Sequence, residues 1–364
     1  MNITIIAGAR PNFIKIAPII DAIQEKKAQG FAMNYRLVHT GQHYDKNLSD
    51  TFFEELNIPF PDSNLDVKSG TQAEQTAAIM IGFEKELQQN QCDLVMVVGD
   101  ITSTMACAIV AKKAGIAVAH VEAGIRSGDM QMPEEINRIV TDSLTDYFFT
   151  TSNYANENLD RLGVSKNKVF FVGNVMIDTL FKNSSRLKKP KLWNALNLKE
   201  RQYLVMTLHR PSNVDEEKKL KKIIHQIVKL GKDYPIIFPV HPRTKKLLEG
   251  LNLNFKNMHY VEPLSYLNFN YLVKNAFAVL TDSGGITEET TVMNVPCITL
   301  RDSTERPETC DIGTNVLVGN DNNKIEEAFK NLLSGDWKKG QAPELWDGNA
   351  SKRIVDCLSK IHKL

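Results

Sequence analysis

The sequence predicts an α/β protein made of two doubly wound, Rossmann-like domains. Short runs of continuously apolar residues alternate with segments of helical periodicity along nearly the whole chain of 364 residues, and this alternation is typical of parallel sheets that helices cover on both faces. A basic stretch with a proline, 182–191, interrupts the alternation near the middle of the chain. We therefore expect two domains of similar length that face a central cleft, with the loops at the carboxyl ends of the strands directed into it.

Twelve apolar runs mark the expected strands. The first run, Ile3–Ala7, is followed by a tight turn at Gly8–Pro11 and then by apolar residues at helical spacing, which indicates a strand, a loop and a helix in succession. The other runs are 35–40, 94–99, 117–121, 147–150 and 169–172 in the first domain, and 203–208, 236–240, 258–261, 276–281, 297–300 and 315–318 in the second.

The domain boundaries are expected to follow this alternation. We assign residues 1–172 to the first domain and residues 173–349 to the second. The final segment, 350–364, has helical periodicity as far as Ile361 and follows a loop that contains glycine and proline. We expect a helix in this segment to pack back onto the first domain.

The charge balance excludes several functional classes. The chain has 44 Lys and Arg against 43 Asp and Glu, a net charge of +1, whereas a protein that tracks nucleic-acid phosphates presents a strongly basic surface. No apolar run approaches the roughly 20 residues that cross a bilayer, and the start of the sequence lacks the basic region of a signal peptide. We expect a cytoplasmic protein with neither a nucleic-acid nor a membrane partner.

Metal and cofactor sites are not expected from the motifs. The five cysteines include no Cys-x-x-Cys pair, which favours buried reduced thiols over disulfides or structural zinc. His39 and His43 have the spacing of a helical metal site, but Gly41 lies between them after a predicted strand. The chain also lacks the Gly-x-Gly-x-x-Gly fingerprint and the P-loop motif, so we expect no nicotinamide and no other cofactor.

Two cations follow the first predicted strand. Arg10 and Lys15 lie about one helical turn apart at the start of a predicted helix. Backbone N–H groups at a helix N-terminus attract anions, and the two cationic side chains add charge-assisted hydrogen bonds. We expect an anion site here. The alternative is a capped helix with two solvated cations.

Titratable side chains stand at the ends of three other predicted strands. Asp100 and Glu122 end apolar strands of the first domain, where an acid is costly to bury without a partner or a purpose. We expect Thr102 or Ser103 to cap the helix after Asp100. His209 follows an apolar strand of the second domain, at the position where doubly wound sheets collect ligands.

The turn at 283–285 gives the strongest single signal. Gly284 and Gly285 allow backbone amides to approach a pyrophosphate closely, and the hydroxyl of Ser283 is able to cap the helix or to donate. Glu289, about one turn further along, is placed to accept both hydroxyls of a ribose. A charged loop after the next strand is expected to bring Arg306 toward the same phosphates.

Nine short motifs follow the predicted strands in order: GARPNFIK (8–15), TGQHYD (40–45), VVGDITST (97–104), HVEAGIRS (120–127), MPEEINR (132–138), TLHRP (207–211), HPRT (241–244), TDSGG (281–285) and RDSTERPET (301–309). Together they resemble the motifs of the non-hydrolysing UDP-N-acetylglucosamine 2-epimerases. The resemblance spans nearly the whole chain. It implies a glycosyltransferase-B-like fold, a nucleotide bound mainly to the second domain, and a homodimer.

The resemblance also implies roles for individual residues. The family's catalytic set corresponds to Asp100, Glu122, Glu134 and His209. Its nucleotide and sugar contacts correspond to Arg10, Lys15, Arg138, Phe269, Ser283, Gly284, Gly285, Glu289 and Arg306. An activator site for a second UDP-GlcNAc, which some bacterial members have, corresponds to Gln42, Arg210 and His241.

The implied activity interconverts UDP-GlcNAc and UDP-ManNAc, which are precursors of surface polysaccharides. No carbonyl activates the C–H bond at carbon 2, so we expect UDP to leave first and to add back after the proton has changed faces. The intermediate is then a 2-acetamidoglucal. Asp100 or Glu134 is the expected base, Glu122 the acid or charge stabiliser, and His209 protonates or orients the leaving phosphate.

Other functions are compatible with the same sequence. One is an epimerase that acts on a modified UDP-2-acetamido sugar, and another is a hydrolysing epimerase that releases free ManNAc. A glycosyltransferase of the same architecture would need an acceptor groove, which the sequence does not identify. A UDP-sugar sensor would not need the three acids, all of which are present.

Overall fold

The computed structural model describes residues 1–41, 53–240, 244–245, 248, 250–251 and 253–362. The chain divides into two compact units, the first formed by Met1–Lys182 with Glu344–Leu364 and the second by Asn183–Pro343. Each unit is built on one parallel β-sheet whose strands alternate with helices. The predicted fold class, α/β with two doubly wound sheets, is confirmed.

The first unit contains a seven-stranded parallel sheet. Its strands are β1 (Asn2–Ala7), β2 (Asn34–His39), β3 (Ser63–Asn64), β4 (Leu94–Val98), β5 (Ala117–Val121), β6 (Tyr147–Thr150) and β7 (Val169–Phe171). They lie in the order β3-β2-β1-β4-β5-β6-β7. The helices between and after them are α1 (Arg10–Ala28), α2 (Gln72–Gln89), α3 (Thr102–Lys113), α4 (Pro133–Leu144), α5 (Asn153–Arg161) and α6 (Val175–Asn183).

The second unit contains a six-stranded parallel sheet. Its strands are β8 (Leu204–Thr207), β9 (Ile236–Pro239), β10 (Met258–Val261), β11 (Ala278–Thr281), β12 (Cys297–Thr299) and β13 (Asn315–Leu317), in the order β10-β9-β8-β11-β12-β13. Its helices are α7 (Lys191–Ala195), α8 (Pro211–Val214), α9 (Glu217–Leu230), α10 (Tyr266–Asn275), α11 (Gly284–Val292), α12 (Pro307–Asp311) and α13 (Asn322–Ser334). The terminal helix, α14 (Ala350–Ile361), belongs to the first unit.

Each sheet reverses its direction of winding once. In the first unit the reversal lies between β1 and β4, and in the second it lies between β8 and β11. Loops at the carboxyl ends of the two strands on either side of such a reversal run in opposite directions and leave a crevice in which ligands bind. Ligand sites are therefore expected in the loops after β1, β4, β8 and β11.

The register of the strands brings pairs of loops to the same level. Val98 of β4 lies beside Val121 of β5, so that Asp100 and Glu122 leave the first sheet together. Thr281 of β11 lies beside Thr207 of β8, and their hydroxyl oxygens are 2.6 Å apart in a hydrogen bond. His209 and Asp282 consequently leave the second sheet side by side.

Every predicted apolar run contains a strand whose ends lie within two residues of those expected. The runs are apolar throughout because helices cover both faces of each sheet, as in β4, where all five residues are buried. The two-residue edge strand β3 has no matching apolar run, since its residues are polar, one of them partly buried and the other exposed. The thiols of Cys107 and Cys297 are buried, as expected.

Helix α6 packs on the first unit. The hydroxyl of Thr179 donates to the carbonyl of Ile14, at 2.6 Å. The carboxylate of Asp178 accepts from the amides of Ala350 and Ser351, at 3.1 and 2.7 Å, and so caps the first turn of α14. The compact units accordingly divide after Lys182, whereas the sequence analysis placed the boundary after residue 172.

Candidate functional site

The carboxylate of Asp100 is held by an arginine of the next helix. Asp100 follows β4 after Gly99, which has a φ of 71° and turns the chain out of the sheet. Arg138 of α4 donates two hydrogen bonds to Oδ2 of Asp100, from Nε at 3.1 Å and from Nη2 at 2.6 Å. The Asp100 side chain stays 32% exposed, whereas that of Arg138 is 3% exposed. Asp100 is therefore a fixed and accessible carboxylate.

Glu122 combines burial with a backbone conformation that is rare outside glycine. Its φ is 71°, in the left-handed region, and only 4% of the residue is exposed. Lys15 of α1 donates to Oε2 of Glu122 at 2.7 Å. Non-glycine residues in this region cost free energy and concentrate at functional sites. Lys15, which is predicted to contact the nucleotide, thus also forms an ion pair with the candidate acid Glu122.

A buried histidine links the loops that carry Asp100 and Glu122. Nε2 of His120 lies 2.8 Å from the carbonyl oxygen of Gly99, and its Nδ1 lies 2.7 Å from Oδ1 of Asp142. The other oxygen of Asp142 accepts from the amide of Gly124 and pairs with Arg126 at 2.7 Å. The carboxylate of Asp142 thus ties together the loops after β4 and β5.

Two opposing influences act on the pKa of Asp142. Burial alone raises the pKa of this carboxyl, but the hydrogen bond and charge of His120, together with the charge of Arg126, lower it below its usual range. Asp142 is therefore ionised at neutral pH. Removing its charge leaves two nitrogen-bearing side chains without their shared acceptor in the interior of the unit.

Glu135 of α4 holds the loop after β5 at its far end. Its carboxylate accepts from the amides of Ser127 and Gly128, at 2.9 and 3.1 Å. It also accepts from Nη1 of Arg138 at 2.7 Å, so that Arg138 bridges Glu135 and Asp100. These contacts lower the pKa of Glu135, although burial acts to raise it. Arg138 is positioned before any ligand binds.

The other predicted residues of the first unit lie at helix starts. Glu134 stands in the first turn of α4 behind Pro133, as the sequence predicted, and is partly exposed. Arg10 is the first residue of α1 and is exposed. The expected cap at Thr102 or Ser103 is wrong, because Ile101 is the N-cap of α3 and the hydroxyl of Thr102 bonds Gln72 at 3.2 Å. These hydroxyls form tertiary hydrogen bonds instead.

Asp282 organises the crevice of the second unit. Its carboxylate accepts from the amides of His209 and Arg210, and from Nδ2 of Asn213 at 3.1 Å. Oδ1 of Asp282 also lies 2.7 Å from Nδ1 of His209, whose side chain is 56% exposed. Burial raises the pKa of Asp282, but the bonds with His209 and the neighbouring donors lower it overall. Asp282 fixes the orientation of the His209 ring, which leaves Nε2 directed away from the pair.

The turn predicted to bind phosphate forms the start of α11. Ser283 is the N-cap residue, and its own amide donates to Oγ1 of Thr281 at 3.0 Å. The Ser283 hydroxyl makes no capping bond to the helix. Gly284 and Gly285 are the first residues of α11, where the helix dipole and the outward-pointing amides favour an anion.

Three arginines surround this turn, each next to an acid. Nε of Arg306 donates to Oε1 of the buried Glu288. Nη2 of Arg301 donates to Glu305 at 2.6 Å, and Nη2 of Arg210 lies 3.6 Å from the same carboxylate. The acids hold the guanidinium groups in place and partly neutralise them. Arg210 stands at this turn, although the sequence analysis related it to an activator site.

Glu289 is buried against helix α10. Only 4% of the residue is exposed, and Oε1 accepts from the hydroxyl of Tyr266 at 2.7 Å and from Nδ2 of Asn270 at 3.3 Å. Burial raises the pKa of Glu289 to about 7, against the lowering effect of the two hydrogen bonds. Phe269 lies on the same helix and packs, partly buried, against the core.

Several residues with key contacts were not predicted from the sequence. Asp142, Glu135 and Glu288 lie within helices, where an acid commonly faces solvent, and nothing in a single sequence marks them as buried. A clue was available in α4, where Glu135, Arg138 and Asp142 recur at helical spacing on one face. The predicted activator residues Gln42 and His241 lie outside the described residues, as does His43.

Among the residues that the structure describes, no cluster of His, Cys, Asp or Glu has the geometry of a metal site. Within the same residues, no helix is both long enough and apolar enough to span a bilayer. His39 is instead buried and accepts from the amide of Gly41 at 2.5 Å. Burial lowers the pKa of His39 to about 4, with Asp66 acting in the opposite direction.

These features define a class of protein. Both units are doubly wound sheets, and each places titratable or anion-binding groups at the loops beside the reversal of strand order. The first unit holds a set of fixed acids, and the second holds a glycine turn among arginines. This is the architecture of a nucleotide-binding enzyme.

Comparison with known proteins identifies the family. The family model described as UDP-N-acetylglucosamine 2-epimerase matches residues 24–359. The UDP-N-acetylglucosamine 2-epimerase of Methanocaldococcus jannaschii is 42% identical, with 99% of each chain covered. Its crystal structure in complex with UDP-GlcNAc and UDP has a TM-score of 0.88, covering 99% of this chain and 100% of that chain. The chain belongs to the UDP-N-acetylglucosamine 2-epimerase family.

Two further similarities define the range of the family and of the fold. The UDP-2,3-diacetamido-2,3-dideoxy-D-glucuronate 2-epimerase of Pseudomonas aeruginosa is 36% identical, with 99% of this chain and 100% of that protein covered. The fold alone is similar to that of Phytolacca americana UGT2, at 13% identity and a TM-score of 0.57 over 99% of each chain. The expected glycosyltransferase-B-like fold and the expected family are confirmed.

We predict that Asp142→Asn destabilises the first unit by about 3 kcal/mol at pH 7, because it leaves His120 and Arg126 without a buried anion. A carboxyl whose pKa is lowered by folding stabilises the protein above its unfolded pKa of about 4, and that contribution is lost as the pH falls below this value. The difference from wild type should therefore shrink at pH 3. Urea unfolding at both pH values measures it.

The matched control is Asp160→Asn, which removes an exposed acid of α5. It should change the unfolding free energy by less than about 0.5 kcal/mol. Equal stability of Asp142→Asn and wild type at pH 7 would show that the buried network does not support the unit.

Proposed function

We propose that this protein is a UDP-N-acetylglucosamine 2-epimerase that interconverts UDP-GlcNAc and UDP-ManNAc. The observation that supports this most is the division of chemistry between the loops of the two sheets. Acids held by Lys15 and Arg138 follow neighbouring strands of the first sheet, and a glycine turn with Arg306 on the next loop follows neighbouring strands of the second. The 42% identity to the Methanocaldococcus jannaschii epimerase over the whole chain supports the same substrate.

The reaction proceeds by elimination of UDP. The bond between carbon 1 and the phosphate oxygen breaks, its electron pair leaves with UDP, and positive charge grows at carbon 1. The carbon 2 proton becomes acidic, passes to a carboxylate, and its bonding electrons form the double bond of a 2-acetamidoglucal. Protonation of carbon 2 on the opposite face and readdition of UDP at carbon 1 give the epimer, so atoms and electrons balance without an oxidant.

The second unit binds the nucleotide in this proposal. The amides of Gly284 and Gly285 and the guanidinium of Arg306 receive the diphosphate, since preorganised donors stabilise the charge that develops on a departing phosphate. Glu289 accepts the ribose hydroxyls, and Phe269 contacts the nucleotide. His209, whose ring is held by Asp282, protonates or orients the leaving phosphate.

The first unit supplies the proton transfers. Asp100 is the leading candidate for the base, because Arg138 fixes its carboxylate while a third of its side chain stays exposed. Glu122 is paired with Lys15 and serves as the acid or as the charge stabiliser. Glu134 lies on the first turn of α4 and serves as the alternative base. Arg10 and Lys15 add positive charge on the side of the leaving group.

The cellular setting is proposed from the family. We propose a cytoplasmic homodimer that supplies precursors of surface polysaccharides. Regulation by a second UDP-GlcNAc would involve Gln42, Arg210 and His241. Of these, Arg210 is in contact with Asp282 and Glu305 at the glycine turn.

A modified UDP-2-acetamido sugar is the second candidate substrate. It is favoured by the 36% identity, over 99% of the chain, to the Pseudomonas aeruginosa enzyme named for a diacetamido glucuronate. The elimination chemistry is the same for both sugars. The two candidates differ only in what contacts carbons 3 and 6 of the hexose.

We predict that incubation with UDP-GlcNAc alone in deuterated water places deuterium at carbon 2 of both UDP-GlcNAc and UDP-ManNAc. The reason is that the abstracted proton exchanges with solvent before carbon 2 is protonated again. Mass spectrometry and proton NMR of the recovered UDP-sugars measure the label.

Three other outcomes would contradict the proposal. Free ManNAc with UDP would indicate a hydrolysing epimerase, and an unchanged substrate would indicate a transferase or a sensor. Reaction of UDP-2,3-diacetamido glucuronate in place of UDP-GlcNAc would assign the second candidate.

We predict that Asp100→Asn and Glu122→Gln each lower kcat about a thousandfold, since general acid–base groups contribute factors of this order. UDP should still bind, because most of the proposed nucleotide contacts, those at Ser283 to Gly285, Glu289 and Arg306, lie in the second unit. Steady-state kinetics and calorimetry with UDP measure the two effects. Glu157→Gln, at an exposed ion pair of α5, is the control and should keep wild-type kcat. Wild-type turnover in either variant would remove that carboxylate from the mechanism.

A further inference from the structure

Tyr266 and Asn270 form a pair of neutral donors directed at one carboxylate oxygen. They are four residues apart on α10 and therefore share a face of that helix. The Tyr266 hydroxyl is 2.7 Å and the Asn270 amide 3.3 Å from Oε1 of Glu289, on the neighbouring helix α11. All three side chains are buried.

The charge of Glu289 depends on these two donors. The groups that face Glu289 are Tyr266 and Asn270 from α10 and Glu288 from its own helix, and Glu288 opposes a second negative charge. No cation among the residues that the structure describes pairs with Glu289. A buried carboxylate in this situation remains ionised only if hydrogen bonds compensate for the loss of water.

Both donors bond Oε1, and no described residue donates to Oε2. A carboxylate whose one oxygen is fixed in this way presents the other oxygen in a fixed direction. Phe269 precedes Asn270 on the same helix, so one helix carries both a predicted nucleotide contact and the groups that orient Glu289.

We propose that Tyr266 is a positioning residue that keeps Glu289 ionised and oriented to accept the vicinal hydroxyls of the ribose, and thereby makes the site selective for ribonucleotides. The inference rests on the proposed function, because it assumes that Glu289 binds the ribose. It adds a residue to which neither the sequence motifs nor the family resemblance assigned a role. Asn270 provides the weaker second donor.

The pH dependence of binding follows from this arrangement. Only the ionised carboxylate accepts both hydroxyls, so UDP affinity falls as the pH drops below the Glu289 pKa of about 7. Removing the Tyr266 hydroxyl removes a bond to the charged form and raises that pKa further. The cost of the change is therefore greater at low pH than at high pH.

The test compares UDP with 2′-deoxy-UDP by calorimetry at pH 6.5 and pH 9. Tyr266→Phe loses one hydrogen bond to a charged group, so it should bind UDP about tenfold more weakly than the wild type at pH 6.5. The loss of affinity should be several-fold smaller at pH 9. The affinity for 2′-deoxy-UDP, which keeps only the 3′-hydroxyl, should fall by a smaller factor than the affinity for UDP. Tyr271→Phe removes a hydroxyl from the same helix at a ring that packs on Trp193, and should leave both affinities unchanged.

Each other result overturns a defined part of the inference. Equal weakening of UDP and 2′-deoxy-UDP by Tyr266→Phe would show that the tyrosine acts through packing alone. If Tyr266→Phe binds UDP like the wild type and only Glu289→Gln loses the preference for UDP over 2′-deoxy-UDP, Glu289 accepts the ribose without help from Tyr266. That result would refute the positioning role of Tyr266. Equal affinities of the wild type for the two nucleotides would refute the ribose role of Glu289, while epimerisation itself is tested separately in deuterated water.

A second variant covers the case in which Tyr266→Phe does not fold. Asn270→Leu keeps the side-chain volume and removes the other donor to Oε1. Asn270→Leu should also lose more affinity for UDP than for 2′-deoxy-UDP, and more at low pH than at high pH. Both losses should be smaller than those of Tyr266→Phe. Absence of both effects in a folded Asn270→Leu protein would count against the proposal.

Discussion

Buried carboxylates with fixed partners are the interaction on which both sites depend. In the first unit Asp142, shared between His120 and Arg126, holds the loops that present the candidate acids. In the second unit Asp282 does the same for the backbone after β8. A carboxylate in the interior is tolerated only with such partners, and the partners come from loops that the parallel sheets bring together. The partners that make a buried carboxylate tolerable therefore also fix the loops that carry the candidate site residues.

The two units have the same kind of topology but different arrangements of charge at their loops. Next to Asp100 and Glu122 the structure places the cations Arg138 and Lys15, which hold the two carboxylates in place. Around the glycine turn it places arginines that are themselves held by acids, such as Arg306 by Glu288. A departing diphosphate needs the second environment, and a proton moving between the faces of a sugar needs the first.

Most of the fold was predictable, because strands covered on both faces are apolar throughout and stand out from amphipathic helices. The positions of the site loops followed, since such loops come directly after the strands. The supporting residues were not predictable: Asp142, Glu288 and Tyr266 lie inside helices, and a single sequence does not distinguish a buried acid from a solvated one. The hydroxyl of Thr102 was misassigned as a cap because its partner, Gln72, is thirty residues away. Contacts of this kind become visible only when the chain is folded.

In the proposed reaction the bond between the sugar and UDP breaks before carbon 2 inverts. Positional isotope exchange tests this most directly, with UDP-GlcNAc that carries oxygen-18 in the bridge between carbon 1 and the β-phosphorus. The account predicts that oxygen-18 moves into the non-bridging positions of the β-phosphate in recovered UDP-GlcNAc, because the freed phosphate rotates before it adds back. Epimerised product with all of its oxygen-18 still in the bridge would contradict it.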